Sequence, residues 1–476
     1  MRPFMKPTIT IFLLIGFYTS LCAQHHRWIH PYVPLIDSLF ANNQRGSYPG
    51  LAVGVVKGGQ LMLAKGYGLA NLEHGLPFTP NTISDIGSLA KQMTSFAMVL
   101  LAQNKQLSLD DNIQKYLPEV PDFGKPITIR NLIHHTSGLR EIYGMLEIAG
   151  WKQGDAVRQE EALSLVQSSR ELNFSPGSRY AYCNTAYMLL AEIIQRVSRQ
   201  GFEQWMRENI FHPLDMNDTY VMDIQGEIFP RCADSYTMSD KNVWIKLYDN
   251  STVIGAGGIY TTLPDLARWF NNFRDGKVGG MGAIQQMFQR GILSNGDTLN
   301  YAFGLEKSTY RGLQRIQHTG SSAGYRAALV YFPQQDLAIM VKSNYANFNS
   351  QATCERIADL ILEDEFTEGP SSFASINKPR PEGELPNGPQ FQDYPGNYYC
   401  PDVETTYTFR VEGDQLIGHH RLNGSFKLQH INGDRFNGPS FLGSVKFERD
   451  DTGKVSGMRI SNGRVLNLWM SKTTQK

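Results

Sequence analysis

This chain is short of the features that would place it quickly. Lysine and arginine total 45 and aspartate and glutamate total 45. Net charge therefore gives no reason to expect nucleic acid or an anionic membrane surface as a partner. Five cysteines in 476 residues make no disulfide scaffold, and their spacing is not that of a zinc site. No metal or cofactor is expected, and whether Cys183, Cys232, Cys354 and Cys400 form one disulfide stays open. Low-complexity tracts are absent, and no apolar run beyond the N-terminal segment approaches a membrane-spanning length. What remains is a globular chain long enough for two or three domains.

The N-terminus carries an apolar run over residues 8–21 behind Arg2 and Lys6, ending in Leu21-Cys22-Ala23-Gln24. That layout predicts a secretory signal peptide over 1–23, cut after Ala23. Leu21 is too bulky for a lipoprotein signal. The expectation is an exported protein, periplasmic or secreted, with no stable membrane span after cleavage.

The chain is organised around Gly87-Ser88-Leu89-Ala90-Lys91 and the apolar run behind it. Ala90, Met93, Ala97, Leu100 and Leu101 recur at helical spacing, which predicts a buried helix with Ser88 as its first residue. Residues i and i+3 share a helix face, so Lys91 reaches back to Ser88. An amine beside a serine hydroxyl can take its proton, and the free N–H groups of a helix start can face an oxyanion. Spacing alone is not enough. Ser375-Ile376-Asn377-Lys378 has the same pattern, but it runs into Pro379 and opens no apolar helix.

Two further stretches carry chemistry. Tyr182-Cys183-Asn184 precedes a helix with Leu190, Ile193, Ile194 and Val197 on one face. There a tyrosine of lowered pKa could relay protons and an asparagine could orient a substrate amide. His318-Thr319-Gly320-Ser321 precedes strands over 327–332 and 337–341. Within it, Gly320-Ser321-Ser322-Ala323-Gly324 matches the Gly-x-Ser-x-Gly elbow, but that elbow needs a helix after its serine and a strand is expected here. His134 and His135 are expected to cap and pack a turn, and His419-His420 to lie on a strand surface. Thr262 is expected to cap a helix, with Asp265 at its third position. A helix over 33–40, strands over 51–56 and 60–69, and a helix over 351–363 complete the reading up to a Pro/Gly-rich linker. Beyond the linker, alternating Tyr407, Phe409 and Val411, then Leu466, Leu468 and Met470, with turns such as Asn462-Gly463, predict a small antiparallel barrel or sandwich.

Taken in order, Ser88-x-x-Lys91, Tyr182-x-Asn184 and His318-Thr319-Gly320 resemble the signature of the penicillin-recognising serine hydrolases. The branch they resemble holds the class C β-lactamases and the S12 peptidases and esterases. His135-Thr136-Ser137-Gly138-Leu139 and Pro213-Leu214-Asp215-Met216 fit as well, and the tail resembles a lipocalin-like domain. The resemblance implies an α+β class, with a β-lactamase/transpeptidase-like antiparallel sheet flanked by helices, a helical lobe and a following β-barrel. The boundaries expected are 1–23 signal, 24–366 hydrolase domain, 367–390 linker and 391–476 barrel. It implies Ser88, Lys91 and Tyr182 as catalytic groups, and Asn184, His318, Thr319, Gly320 and Ser321 as substrate-binding groups. The N–H groups of Ser88 and Ser321 would form an oxyanion hole.

The implied activity is a serine hydrolase of small peptides, amides or esters working through an acyl-Ser88 ester. Its rivals are a β-lactamase or DD-carboxypeptidase and a silent peptide- or peptidoglycan-binding module. The substrate expected is a small molecule, peptide or ester, with no nucleic acid. One departure matters: β-lactamases and DD-peptidases usually carry lysine where this chain has His318. A histidine is only partly charged near neutral pH, which weakens the case for an efficient β-lactamase.

Overall fold

The structure is a computed structural model that describes residues 28–44, 47–369 and 391–473. The expected signal segment and nearly all of the expected linker lie outside the described residues. Among the described residues no helix is long and apolar enough to cross a membrane.

The first unit is built on a six-stranded antiparallel sheet. Its strands are β1 (Leu51–Lys57), β2 (Gln60–Tyr67), β3 (Glu306–Tyr310), β4 (Leu313–Ser322), β5 (Tyr325–Phe332) and β6 (Leu337–Ser343), in the order β3-β4-β5-β6-β1-β2. Helices cover both faces, so β1 is buried almost throughout and reads as a continuous apolar run. Alternation sorts its side chains into two cores. Leu51, Val53 and Val55 pack with Ile36 and Phe40, at and just after helix α1 (Val33–Leu39), and with Ile357 and Ile361 of helix α6 (Ser350–Ile361). Ala52 and Val56 face the opposite side, towards helix α5 (Leu263–Asp275). Gly54 sits against Leu263, where a Cβ would come within 2.8 Å of that side chain. Thr262 caps α5 by accepting from Asp265 N, as expected.

The helical lobe is centred on α2 (Ala90–Gln103), buried on all sides from Ala90 to Leu101. It packs against α4 (Asn184–Ser198), which in turn packs against α3 (Ile142–Ala149). The serine does not open α2 itself. It lies in the 3₁₀ turn Gly87–Leu89 just before the helix, a tightening common at helix starts.

The second unit is a closed antiparallel barrel of eight strands. These are β7 (Gly396–Cys400), β8 (Thr405–Glu412), β9 (Gln415–His420), β10 (Gly424–Asn432), β11 (Arg435–Asn437), β12 (Ser444–Arg449), β13 (Val455–Asn462) and β14 (Val465–Thr473). The period-two pattern of β8 and β14 becomes an inner apolar face. The barrel core is completed from outside, because Met145 and Ile148 of α3 belong to its apolar cluster. Tyr407 Oη donates to Ile148 O at 2.7 Å, and Arg140 meets Asp402 at 2.9 Å with both side chains nearly buried.

One expectation is corrected, and the open question of a disulfide is answered. His419 is exposed, but His420 is buried, bonded to Thr405 Oγ1 and stacked on Tyr407, so it is no surface residue. The four cysteines of the described residues are all free.

Candidate active site

The site begins with a backbone constraint. Gly87 has φ +52, and a Cβ there would lie 2.5 Å from Ser321 N. A residue without a side chain lets the Ser88 turn close against β4. Gly87 N donates to Asp85 Oδ1 at 2.7 Å, which fixes the entry to the turn. Gly320 has a similar use, since a Cβ would lie 1.8 Å from Ile86 O. The elbow alternative fails in place: Ser322 ends β4, β5 follows at Tyr325, and the Ser322 hydroxyl donates to Asp249 Oδ2 at 2.5 Å.

Lys91 is fully buried and its Nζ lies 3.0 Å from Ser88 Oγ. Nζ also donates to Asn184 Oδ1 at 2.8 Å and to Ala256 O at 2.6 Å. With two N–H bonds spent on those acceptors, a neutral amine turns its lone pair to the serine hydroxyl. Burial pulls the Lys91 pKa down to about 7; Glu141 nearby opposes the fall and Arg464 adds to it. Asn184 is held in turn, its Nδ2 donating to Glu141 Oε1 at 2.8 Å. Glu141 is also the N-cap of α3, accepting from Gly144 N at 2.9 Å.

Tyr182 flanks Lys91, with Nζ 4.9 Å from its ring centroid. Burial drives its pKa well above the usual phenol value, against the lowering expected from the sequence. It therefore stays protonated at neutral pH. His135 holds this segment: its Nδ1 accepts from Cys183 N at 3.1 Å, and its ring lies 4.3 Å from that of Tyr182. His134 packs edge-on against Phe303. His135 serves packing and hydrogen bonding at the turn, and His134 serves packing.

A cavity of about 420 Å³ opens beside these groups, lined by Ser88, Tyr182, Asn184, Ser321, Asp249 and Arg464 among others. His318 is not on its wall. It is buried behind, with Nδ1 2.6 Å from Thr319 O and Nε2 3.1 Å from Tyr301 Oη. Burial, and then the charge of Lys91, push its pKa down to about 4, so it is neutral at pH 7. Thr319 is exposed, and Ser321 brings the third stretch to the cavity. Four residues around the site carried no signal in the sequence: Glu141, Asp249, Tyr301 and Arg464. Among the described residues no group of three histidine, cysteine or acidic side chains is placed to hold a metal.

A serine in a turn before a buried helix, bonded to a buried lysine and set between a mixed α/β unit and its helical lobe, defines a β-lactamase/transpeptidase-like protein with the constellation of a serine hydrolase. The chain belongs to the Beta-lactamase family, whose model matches residues 36–362. It is 25% identical over 310 residues to the D-aminopeptidase of Gluconobacter oxydans, covering 65% of this chain and 58% of that one. It is 26% identical over 308 residues to penicillin-binding protein 4* of Bacillus subtilis, covering 60% and 66%. The chain thus spans less than two thirds of the length of these curated relatives. Among solved structures, the octameric penicillin-binding protein homologue from Pyrococcus abyssi aligns with a TM-score of 0.62 at 22% identity, over 92% of this chain and 99% of that one. That likeness takes in the barrel as well as the sheet and lobe.

Proposed function

We propose that this protein is an exported serine hydrolase that forms an acyl-enzyme on Ser88 and cleaves amides or short peptides at D-amino acid residues. The observation that carries the reading is the buried Lys91 amine, 3.0 Å from Ser88 Oγ and titrating near neutrality. The name of the Gluconobacter relative, D-aminopeptidase, supports the substrate class.

In this mechanism neutral Lys91 takes the Ser88 proton as Oγ attacks the substrate carbonyl. The N–H groups of Ser88 and Ser321 receive the developing oxyanion. Tyr182, held as a phenol, passes its proton to the leaving amine as the C–N bond breaks, and Lys91-ammonium returns a proton to Tyr182. Water then attacks the acyl ester, with Lys91 taking its proton and Ser88 recovering one. Asn184 fixes Lys91 on one side and faces the cavity on the other.

A β-lactam-directed activity has less support, because His318 is uncharged and off the cavity wall. Turnover of D-alanine p-nitroanilide and its L-enantiomer tests the proposal. The D form should be hydrolysed at least tenfold faster, and equal or reversed rates would contradict it.

A further inference from the structure

The chemistry above uses groups of the first unit, yet one wall of the cavity comes from the barrel. β13 and β14 are joined by the two-residue turn Gly463-Arg464, with Asn462 paired to Val465. Gly463 has φ +62 and Arg464 has none of the positive φ, the pattern of a tight hairpin with glycine first. Arg464 therefore sits at the tip of a short turn, with little backbone freedom.

The first unit grips that turn. Asn173 Nδ2 donates to Arg464 O at 2.8 Å and Asn173 Oδ1 accepts from Leu466 N at 2.8 Å. Asn462 Nδ2 donates to Gly144 O at 3.1 Å. A Cβ on Gly144 would lie 2.9 Å from Val465 Cγ2, so the contact is close. These bonds point the arginine at the cavity, with its guanidinium carbon 5.4 Å from the Tyr182 ring centroid.

Glu147, on the same cavity wall, feels the charge of Arg464 but makes no ion pair with it. Among the described residues Arg464 has no carboxylate within salt-bridge distance, and its side chain makes no hydrogen bond there. Two other basic side chains adjoin the cavity, and Arg326 keeps Nε and Nη2 without a partner among the described residues. Lys91 is bonded to Ser88, Asn184 and Ala256, and Arg326 spends Nη1 on the carbonyls of Ala323 and Tyr325. His318 carries no charge at pH 7. A planar fork of donors left free beside a nucleophile matches a carboxylate in two parallel bonds.

We propose that Arg464, supplied by the barrel and set by Asn173, is a specificity-determining residue that binds the terminal carboxylate of a short peptide substrate. The inference rests on the hydrolase reading and narrows it: among short peptides, those with a free C-terminal carboxylate bind more tightly than their C-terminal amides. The barrel then completes the binding site and does more than stabilise the fold.

The test uses full-length Ser88→Ala protein, so that binding is read without turnover. Titration with D-alanyl-D-alanine and with its C-terminal amide varies the carboxylate alone. The acid should bind at least about tenfold tighter, the scale of a charge-assisted pair at a partly open site. Adding Arg464→Gln should erase that preference, Arg464→Lys should restore part of it, and Asn173→Ala should weaken it. Equal binding of acid and amide, binding of neither, or a preference that survives Arg464→Gln would overturn the proposal. Failure of the hydrolase reading shows separately, as loss of covalent labelling at Ser88 in the otherwise unaltered protein.

Discussion

Two regions of the molecule bury a lysine completely, and only one of them is a candidate active site. Lys91 sits on α2 and Lys342 on β6. Burial pulls the pKa of each down to about 7. Neither has a carboxylate within salt-bridge distance among the described residues. Lys342 donates to the carbonyls of Thr82 and Thr261. Lys91 donates to one carbonyl and one amide oxygen and keeps its remaining side for the Ser88 hydroxyl, at the edge of a cavity. Low proton affinity is thus a property of burial. What makes a base of it is a hydroxyl within reach and room for a substrate. Arg140 marks the other limit: equally buried, it meets Asp402.

The largest expected contrast lies between the two lysines. Lys91→Ala should slow acylation of Ser88 by ~10²–10⁴-fold, the usual share of a general base. Lys342→Met should leave that rate within a few-fold while costing about 1–3 kcal/mol of stability for its two stranded carbonyls. Stopped-flow acylation and denaturant titration read the two effects. Equal rate losses would mean that Lys91 supports the fold and is not the base for Ser88.

The paired cation gives the next effect. Asp402→Ala leaves Arg140 buried without its main partner, which should cost about 3–5 kcal/mol and loosen the barrel. Urea unfolding would show it, and an unchanged midpoint would mean that Glu171, 3.3 Å from Arg140, suffices as its partner.

How much of this was legible in the sequence follows the same physics. Ser88 and Lys91 are one turn apart, so their meeting is set by local backbone geometry. Tyr182 and Asn184 precede a strongly patterned helix and could be placed beside them. The charge state of His318 was not legible, because it depends on burial and on the charge of Lys91, neither of which is encoded near residue 318. Tyr182 shows the same failure: a lowered pKa suits its role, but burial raises it. Glu141 meets Asn184 only when α3 packs beside α4, and Asn173 meets Arg464 only when the barrel docks on the first unit; no local spacing reports either contact. His420 looked like a surface residue because its strand alternates; its place at the barrel end beside α3 buries it.

A smaller effect concerns pH. The Lys91 pKa is lowered, so the neutral amine is the reactive form above about 7. Acylation should rise with pH through that point and fall about tenfold per unit below it. A rate flat from pH 5 to 8 would remove Lys91 as the base. The smallest effect is that of Tyr407→Phe, which deletes the bond to Ile148 O and should cost about 1 kcal/mol without altering the rate of Ser88 acylation. A large loss of that rate would mean that barrel docking controls the serine as well as the outer wall.

The most direct measurement is peptide mapping of the adduct left by a serine-reactive phosphonate on the native protein and on Lys91→Ala. The account predicts a single adduct on Ser88 that forms at least a hundredfold more slowly in the variant while its circular dichroism is unchanged. An adduct on Ser322, or labelling of Ser88 at equal rates in both proteins, would contradict it.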